Sequence, residues 1–375
     1  MADPESLPEP DRIEGAPHPR EATRIVGQDA AEQAFLTAYR SGRLHSGWLL
    51  TGPKGIGKAT LAYRIAAFLL AEQPDAGGGL FGAPPPPDSL DIAPDHPDAA
   101  LIRSGAHPRL FIVRRGANTK GDRLADVIRA DEVRKLKSFF HLSATDGGRR
   151  VVIIDAADEM NVSAANAVLK ELEEPPARAT LLLVSHQPSR LLPTIRSRCR
   201  ELRLSTLGAE DLADVLEAIG QHTDAPDALA VLADGSAGAA LGLLAHDGLP
   251  LYADLVALFS DLPRMKRPEA LRLADACAGR GSEARFALTL DLIDIFLARA
   301  ARAGLTGEPH SQGAPGEARL LMRLSPHDRA ARAWADLQQQ VSARARRGRA
   351  VNLDPAALIL DILFRIEETA RAVAE

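Results

Sequence analysis

The chain has 375 residues, of which 46% are hydrophobic and 25% are charged, and these proportions are typical of a globular protein. A length of this order predicts two or three domains. The net charge of −5 excludes a protein that attracts nucleic acid through its overall charge. With only two cysteines, a disulfide framework and a cysteine-based zinc module are also excluded, and a reducing, cytoplasmic setting is expected.

Two stretches interrupt the regular patterns of the chain. Residues 1–22 are acidic and rich in proline, so the sequence predicts a disordered lead-in there and no signal peptide. Residues 73–104 contain the runs Gly77–Gly79 and Pro84–Pro87 and show no hydrophobic period, which predicts a flexible insertion. The apolar runs are too short to span a membrane, and no membrane partner is expected.

Between these stretches and up to residue 205, apolar runs alternate with helical patterns. Strands are predicted at residues 47–50, 109–113, 149–155, 180–185 and 200–204, and helices at 24–43, 58–71, 128–140 and 163–174, the last with Ser163 as its cap. The alternation predicts a three-layer α/β domain with a five-stranded parallel sheet. After residue 205 the strand signal ends, and residues 206–375 are predicted to be helical.

The segment from Thr51 to Thr60, which reads TGPKGIGKAT, connects the first strand to a helix. Its glycines, Gly52, Gly55 and Gly57, allow backbone N–H groups to curl around an anion, and Lys58 can reach the outer phosphates of a nucleotide. The residue that follows this lysine normally binds Mg²⁺ through a hydroxyl, but it is Ala59 here. Thr60 comes one residue late and points about 100° away on a helix.

A second half of a nucleotide site is predicted at the end of an apolar strand. Asp155 ends the run Val-Val-Ile-Ile, where a carboxylate can bind Mg²⁺ next to a phosphate loop. The next residue is Ala156, where a hydrolysing enzyme of this kind carries a glutamate that positions water. The alternative for Asp155 is a carboxylate that only caps the strand end.

Three motifs follow the phosphate loop in a fixed order: Val151–Asp158, Asn166–Pro176 and Ser197–Cys199. Together they resemble the clamp-loader branch of the AAA+ ATPases, over about residues 27–244. The resemblance implies an AAA+ P-loop domain over residues 23–205 and an all-α lid over 206–247. It further implies an all-α collar for oligomerisation over 248–375. The zinc module that some relatives carry is absent, so no zinc is expected.

The resemblance also implies roles for individual residues. Arg198 matches an arginine that reaches the ATP of a neighbouring subunit, the alternative being a surface arginine before an edge strand. Ser185 matches a polar sensor of nucleotide, and Gly238 stands where a sensing arginine is expected. Ala59, Ala156 and Gly238 each remove a different contact to Mg²⁺, water or phosphate, so hydrolysis at this chain's own site is not expected.

The partners implied are clamp-loader subunits of the gamma/tau and delta classes in a hetero-pentameric ring, with the sliding clamp and primer-template DNA bound through the complex. The chain is then a non-hydrolysing subunit of a DNA polymerase holoenzyme, a nucleotidyltransferase complex. No cofactor is required, and weak ATP or ADP binding by Gly52–Lys58 stays open. The alternatives are a catalytically active ATPase motor like the gamma/tau subunits and an interaction scaffold without nucleotide.

Overall fold

A computed structural model describes residues 9–13, 15–71, 87–142 and 148–374. It divides into two compact units, Met1–Gln221 with Ser236–Gly238, and His222–Gly235 with Ala239–Glu375. All five strands of the described residues belong to the first unit, and the second unit is helical. This division does not separate residues 206–247 from 248–375, so a distinct lid and collar stay predictions.

The first unit is built on a parallel sheet. Its strands are β1 (Gly47–Thr51), β2 (Leu110–Val113), β3 (Arg150–Asp155), β4 (Ala179–Ser185) and β5 (Arg200–Arg203). They lie in the order β2-β3-β4-β1-β5, and every neighbouring pair is parallel. The carboxyl ends of all five strands therefore lie at one edge of the sheet and the amino ends at the opposite edge.

Helices cover both faces of the sheet. They are α1 (Asp29–Arg40), α2 (Lys58–Leu70), α3 (Pro97–Arg103), α4 (Ala130–Leu142), α5 (Val162–Glu173), α6 (Pro193–Arg196) and α7 (Ala209–Ala218). One apolar cluster joins α1 and α2 to one face of the sheet, and a second joins α4 and α5 to the other. Alternate residues of β3 enter different clusters, since Val151 lies in the first and Val152 in the second. The predicted three-layer α/β fold, with a five-stranded parallel sheet and helices after it, is confirmed.

Parts of the two irregular stretches are ordered. Residues 15–22 include a short 3-10 helix, Pro19–Glu21, and a buried histidine, His18. Residues 87–104 include α3 and the buried side chains of Leu90 and Ile102, which pack into the core around α2. These elements differ from the predicted disordered lead-in and flexible insertion, because their anchors are single apolar and ionic contacts that leave no periodic pattern. The glycine run and residues 84–86 of the proline run lie outside the described residues.

The cap of α5 also differs from the prediction. Asn161, and not Ser163, precedes this helix, and its side-chain oxygen accepts a hydrogen bond of 2.8 Å from the backbone N–H of Ala164. Ser163 is the second residue of the helix. Both residue types are good caps, so the sequence alone did not distinguish them.

The second unit contains only helices among its described residues. They are α8 (Pro226–Leu232), α9 (Ala237–Ala245), α10 (Gly248–Ser260), α11 (Arg267–Ala276), α12 (Glu283–Thr306), α13 (Glu317–Leu324), α14 (Asp328–Ala350) and α15 (Pro355–Ala374), although Ala237 and Gly238 belong to the first unit. The long helices α12 and α14 pack along each other, and α15 packs on α11 and α14. Trp334 of α14 is fully buried, and its indole N–H donates to Leu324 O at 2.8 Å.

Across the described residues, no single helix is both long and apolar enough to cross a membrane. The bent pair formed by α8 and α9, with an angle of 109° between its halves, reaches that length and composition only when the halves are taken together.

A buried carboxylate connects three helices of this unit. Glu317 is fully buried and accepts hydrogen bonds from the Tyr252 hydroxyl, from Arg299 Nε at 2.6 Å and from the backbone N–H of Gly313. A charge removed from water in this way is tolerated only when its partners surround it. Burial, followed by the charge of the adjacent carboxylate, raises the pKa of the Tyr252 phenol.

We expect Glu317→Ala to lower the free energy of unfolding by about 3–5 kcal/mol, because Arg299 and Tyr252 lose their buried partner. Urea denaturation followed by circular dichroism measures this change. Glu308→Ala is the matched control: this glutamate is exposed, so its removal is expected to change the free energy by less than about 0.5 kcal/mol. Equal effects of the two substitutions would contradict the structural role of Glu317.

Candidate functional site

The phosphate loop connects β1 to α2 at the carboxyl edge of the sheet. Gly52, Gly55 and Gly57 have φ values of 139°, 80° and 98°, which favour glycine. A Cβ on Gly52 would lie 2.6 Å from Ile56 Cδ1 and 2.9 Å from Leu204 O, so no side chain fits there. The strand, turn and helix that a phosphate-binding loop requires are therefore present.

Lys58 is the first residue of α2 and is buried. Its ammonium group donates to Gly52 O at 2.7 Å and to Pro53 O, so the lysine bonds to carbonyls of its own loop. Burial lowers the pKa of Lys58 to about 8, while the charges of Asp155 and Asp158 oppose this shift. A bound phosphate would have to replace both carbonyl partners.

The Mg²⁺ side of the site is incomplete. Ala59 has no ligand atom, and Thr60 is one position further along α2, about 100° around the helix axis. Asp155 ends β3 beside Val184 of β4. Burial raises the pKa of Asp155 to about 7, and a further increase comes from the charge of Asp11. This shift disfavours the ionised form of the carboxyl group, which is the form that a metal ion binds.

The end of β4 carries the residue at the sensor position. Ser185 is fully buried beside Thr51 of β1, and its hydroxyl has no hydrogen-bond partner among the described residues. The next residue, His186, has its pKa lowered to about 4 by burial and by the charge of Lys58. The Asp158 carboxylate accepts the backbone N–H of His186 at 2.9 Å, so it holds this strand end.

The segment Ser236–Gly238 packs on the outside of the phosphate loop. The Ser236 hydroxyl donates to Lys54 O at 2.8 Å, and the backbone N–H of Gly238 donates to Gly55 O at 3.0 Å. A Cβ on Gly238 would lie 3.1 Å from Gly55 Cα and 2.6 Å from Ile13 Cδ1. The position at which the sequence led us to expect a sensing arginine therefore has no space for a side chain without movement of its neighbours.

Arg198 lies between α6 and β5. Its NH1 group donates to Thr194 O at 3.1 Å, and its NH2 group forms an ion pair of 2.9 Å with Glu173 at the end of α5. The side chain is 38% exposed, so part of the guanidinium remains accessible to another molecule. Burial raises the pKa of the adjacent Cys199 thiol to about 12, so this cysteine is no thiolate nucleophile at neutral pH.

Arg198 and the phosphate loop lie at opposite edges of the sheet. The carbonyl of Arg198 is 3.2 Å from the position of a Cβ on Gly47, the first residue of β1. The phosphate loop begins after Thr51, the last residue of that strand. Because a strand rises about 3.3 Å per residue, the two sites are about 15 Å apart along β1. Arg198 is thus placed away from the phosphate loop of its own chain.

Sequence reasoning did not identify three residues that support these sites. Gln28 joins Ser205 through two hydrogen bonds, of 2.8 and 3.0 Å, and so fixes the chain after β5. Glu173 holds Arg198, and His186 lies near Lys58. The sequence places Glu173 in the motif Asn166–Pro176, but nothing local shows which of its acidic residues meets the arginine.

Within the described ranges, no group of three or more His, Cys, Asp or Glu side chains is arranged to hold a metal ion. The residues suited to a nucleotide are those of the phosphate loop, with Lys58 for the phosphates and Ser185 beside them. The assignments of Gly52, Gly55, Gly57, Lys58, Thr60, Asp155 and Ser185 to a degenerate nucleotide site stay predictions, as does the expected absence of zinc.

Comparisons with known proteins agree with the motifs. Residues 27–208 match a family model described as DNA polymerase III, delta subunit. The chain is 43% identical over 152 residues to the DNA polymerase III subunit delta' of Pseudomonas aeruginosa, which is 40% of this chain and 40% of that protein. It is also 31% identical over 221 residues to the DNA polymerase III subunit delta' of Escherichia coli. This alignment covers 57% of this chain and 59% of that protein. The alignments thus span about half the length of these relatives.

A solved structure with a related name is that of a DNA polymerase III gamma subunit-related protein from Thermotoga maritima. It covers 90% of this chain and 100% of its own, at 17% identity and a TM-score of 0.36. A TM-score of this size carries no argument about function, and the fold class rests on the sheet and the phosphate loop themselves. Residues 27–208 are similar to the DNA polymerase III delta-subunit family, and in this region the chain resembles the delta' subunits.

Proposed function

We propose that this chain is a delta'-like subunit of a DNA polymerase III clamp loader. In this role it helps to load a sliding clamp on primed DNA, within a ring that contains subunits of the gamma/tau and delta classes. The chain supplies Arg198 to the ATP of the neighbouring subunit, and its own phosphate loop does not hydrolyse ATP. Weak binding of ATP or ADP there is part of the proposal, and no cofactor is required.

The position of Arg198 is the single observation that carries the proposal. It lies at the amino edge of the sheet, about 15 Å along β1 from the phosphate loop, and its guanidinium is partly exposed. An arginine that acts on a nucleotide of another chain needs both properties. A planar guanidinium that meets a γ-phosphate stabilises the charge that develops during transfer.

The chain's own site supports the second part of the proposal. Ala59 and Ala156 lack the groups that bind Mg²⁺ and position water, and Gly238 is packed against the phosphate loop in place of a sensing arginine. Lys58 is bonded to the carbonyl groups of Gly52 and Pro53. Each absent contact of this kind costs orders of magnitude in rate, and hydrolysis requires all of them together.

We expect Arg198→Ala to lower ATP turnover at the neighbouring site by about 10³-fold or more, because the developing phosphate charge loses its partner. The measurement is the ATPase rate of the reconstituted complex with clamp and primed DNA. Arg196→Ala is the matched control, since Arg196 is also exposed and lies two residues away. Unchanged stimulation in the Arg198 variant would rule out the trans role.

Glu173 orients Arg198 in the proposed mechanism, and Glu174 offers a neighbouring exposed glutamate as control. We expect Glu173→Ala to lower the kcat of the complex about two- to fivefold at an unchanged KM for ATP, the size of an exposed ion pair. Glu174→Ala should leave both constants unchanged. If both variants behave alike, the effect comes from the charge of the helix end and not from the contact with Arg198.

The isolated chain is expected to show no ATP turnover above background, and Lys58→Ala should not change that result. A phosphate-release assay on the purified chain measures it. The alternative, an active motor like the gamma/tau subunits, predicts measurable turnover that Lys58→Ala abolishes. The same assay therefore separates the two functions.

A further inference from the structure

The residues that precede the family match form an ordered segment against the nucleotide site. We name residues 9–13 and 15–22 the N-terminal strap. The family model begins at residue 27, so the strap lies outside it. Its course brings Asp11, Ile13 and His18 to the carboxyl edge of the sheet, where the phosphate loop lies.

Ionic contacts hold the strap. The Asp11 side chain is almost fully buried and forms an ion pair of 2.7 Å with Arg114, just after β2. His18, also buried, lies 3.2 Å from the same carboxylate. Glu9 binds Arg114 at 3.0 Å and Arg20 at 2.9 Å. Burying these charges is costly unless all partners are present, so the strap depends on the complete set.

The strap meets α2, the helix that follows the phosphate loop. The Tyr63 hydroxyl donates to Asp11 at 3.4 Å, and the Tyr63 ring packs edge-on against His18 with ring centres 5.6 Å apart. Arg64 donates from NH1 to the carbonyl of Thr23, directly after the strap. These contacts fix the strap to the first turns of the helix whose N-terminus would face a phosphate.

The strap also meets the loop through one intermediate residue. Ile13 Cδ1 lies 2.6 Å from the position of a Cβ on Gly238, and Gly238 bonds to Gly55 of the phosphate loop at 3.0 Å. Ile13, Gly238 and Gly55 therefore form three successive layers. A movement of Gly55 that widens the loop must displace the other two.

The negative charge of the strap also opposes the binding of a nucleotide. Asp11 is close enough to Asp155 for its negative charge to raise the pKa of that carboxyl group. Burial alone would raise the pKa of Asp11, but the hydrogen bond with His18 and the charge of Arg114 lower it to about 2, so Asp11 is ionised at neutral pH. A polyphosphate near Asp155 would meet this fixed negative charge, and Ala59 supplies no Mg²⁺ ligand to offset it.

We propose that the partner of this phosphate loop is the chain's own N-terminal strap, which holds the loop in a closed form and weakens nucleotide binding there. The loop then acts as an internal docking surface of the AAA+ domain. Nucleotide and strap compete, so each weakens the binding of the other by the same factor. This inference concerns the chain's own loop and does not depend on the role of Arg198.

The test compares the full chain, a chain that begins at Thr23, and the full chain with Asp11→Ala, each titrated with fluorescently labelled ADP. We expect both changes to tighten ADP binding at least about tenfold, or 1.4 kcal/mol. Arg12→Ala is the matched control, because Arg12 lies on the strap and its side chain is exposed. The chain with this substitution should bind ADP with the same affinity as the unaltered full chain. Adding Lys58→Ala to the shortened chain should remove the gain, since the nucleotide then binds at the phosphate loop.

Circular dichroism shows whether the shortened chain is folded. If it is unfolded, the Asp11→Ala chain alone decides the question. Unchanged ADP affinity in the folded shortened chain, or in Asp11→Ala if only that variant folds, overturns the proposal. A gain that persists with Lys58→Ala also overturns it, because the nucleotide then binds elsewhere. ATPase activity of the complex with Arg198→Ala is a separate measurement, so failure of one proposal leaves the other intact.

Discussion

The parallel direction of all five strands is the constraint on which both candidate sites depend. It places every carboxyl end at one edge, where the glycine loop after β1 and Asp155 at the end of β3 face the same space. It places the start of β5, and Arg198 before it, at the other edge. The sheet therefore separates the phosphate loop from Arg198. An antiparallel β5 would have brought the arginine to the chain's own loop.

The phosphate loop has the backbone shape of a phosphate-binding loop but lacks several of the chemical groups that hydrolysis requires. Gly52 has no space for a side chain, so the packing of the loop itself requires glycine at this position. Lys58 bonds to loop carbonyls, and Gly238 packs where a long side chain would be needed. The packing of this loop uses its glycines and the buried ammonium group of Lys58. Hydrolysis of ATP would also need a metal ligand and a group that positions water. This difference explains how the motif persists beside Ala59 and Ala156.

Buried ionic groups recur in both units, each surrounded by partners from distant parts of the chain. Asp11 meets Arg114 in the first unit, and Glu317 meets Arg299 and Tyr252 in the second. Such groups cost free energy when a partner is lost, so they favour one arrangement of the segments they join. The strap is thus held by charge pairs more than by apolar periodicity, whereas Glu317 adds a buried ionic contact to the apolar core of the helical unit.

The choice of Arg198 as a candidate came from the resemblance carried by the motif Ser197–Cys199, and its role stays a prediction. The sequence by itself determined the α/β fold and the strand, loop and helix around the glycines of the phosphate loop. These features follow from local patterns, since glycine spacing and apolar periodicity reflect neighbouring residues. Only the tertiary structure decided that residues 15–22 are ordered, that Glu173 holds Arg198, and that Asp11 lies near Asp155. Asp11 and Arg114 are 103 positions apart, and a single contact over that distance leaves no pattern in the sequence.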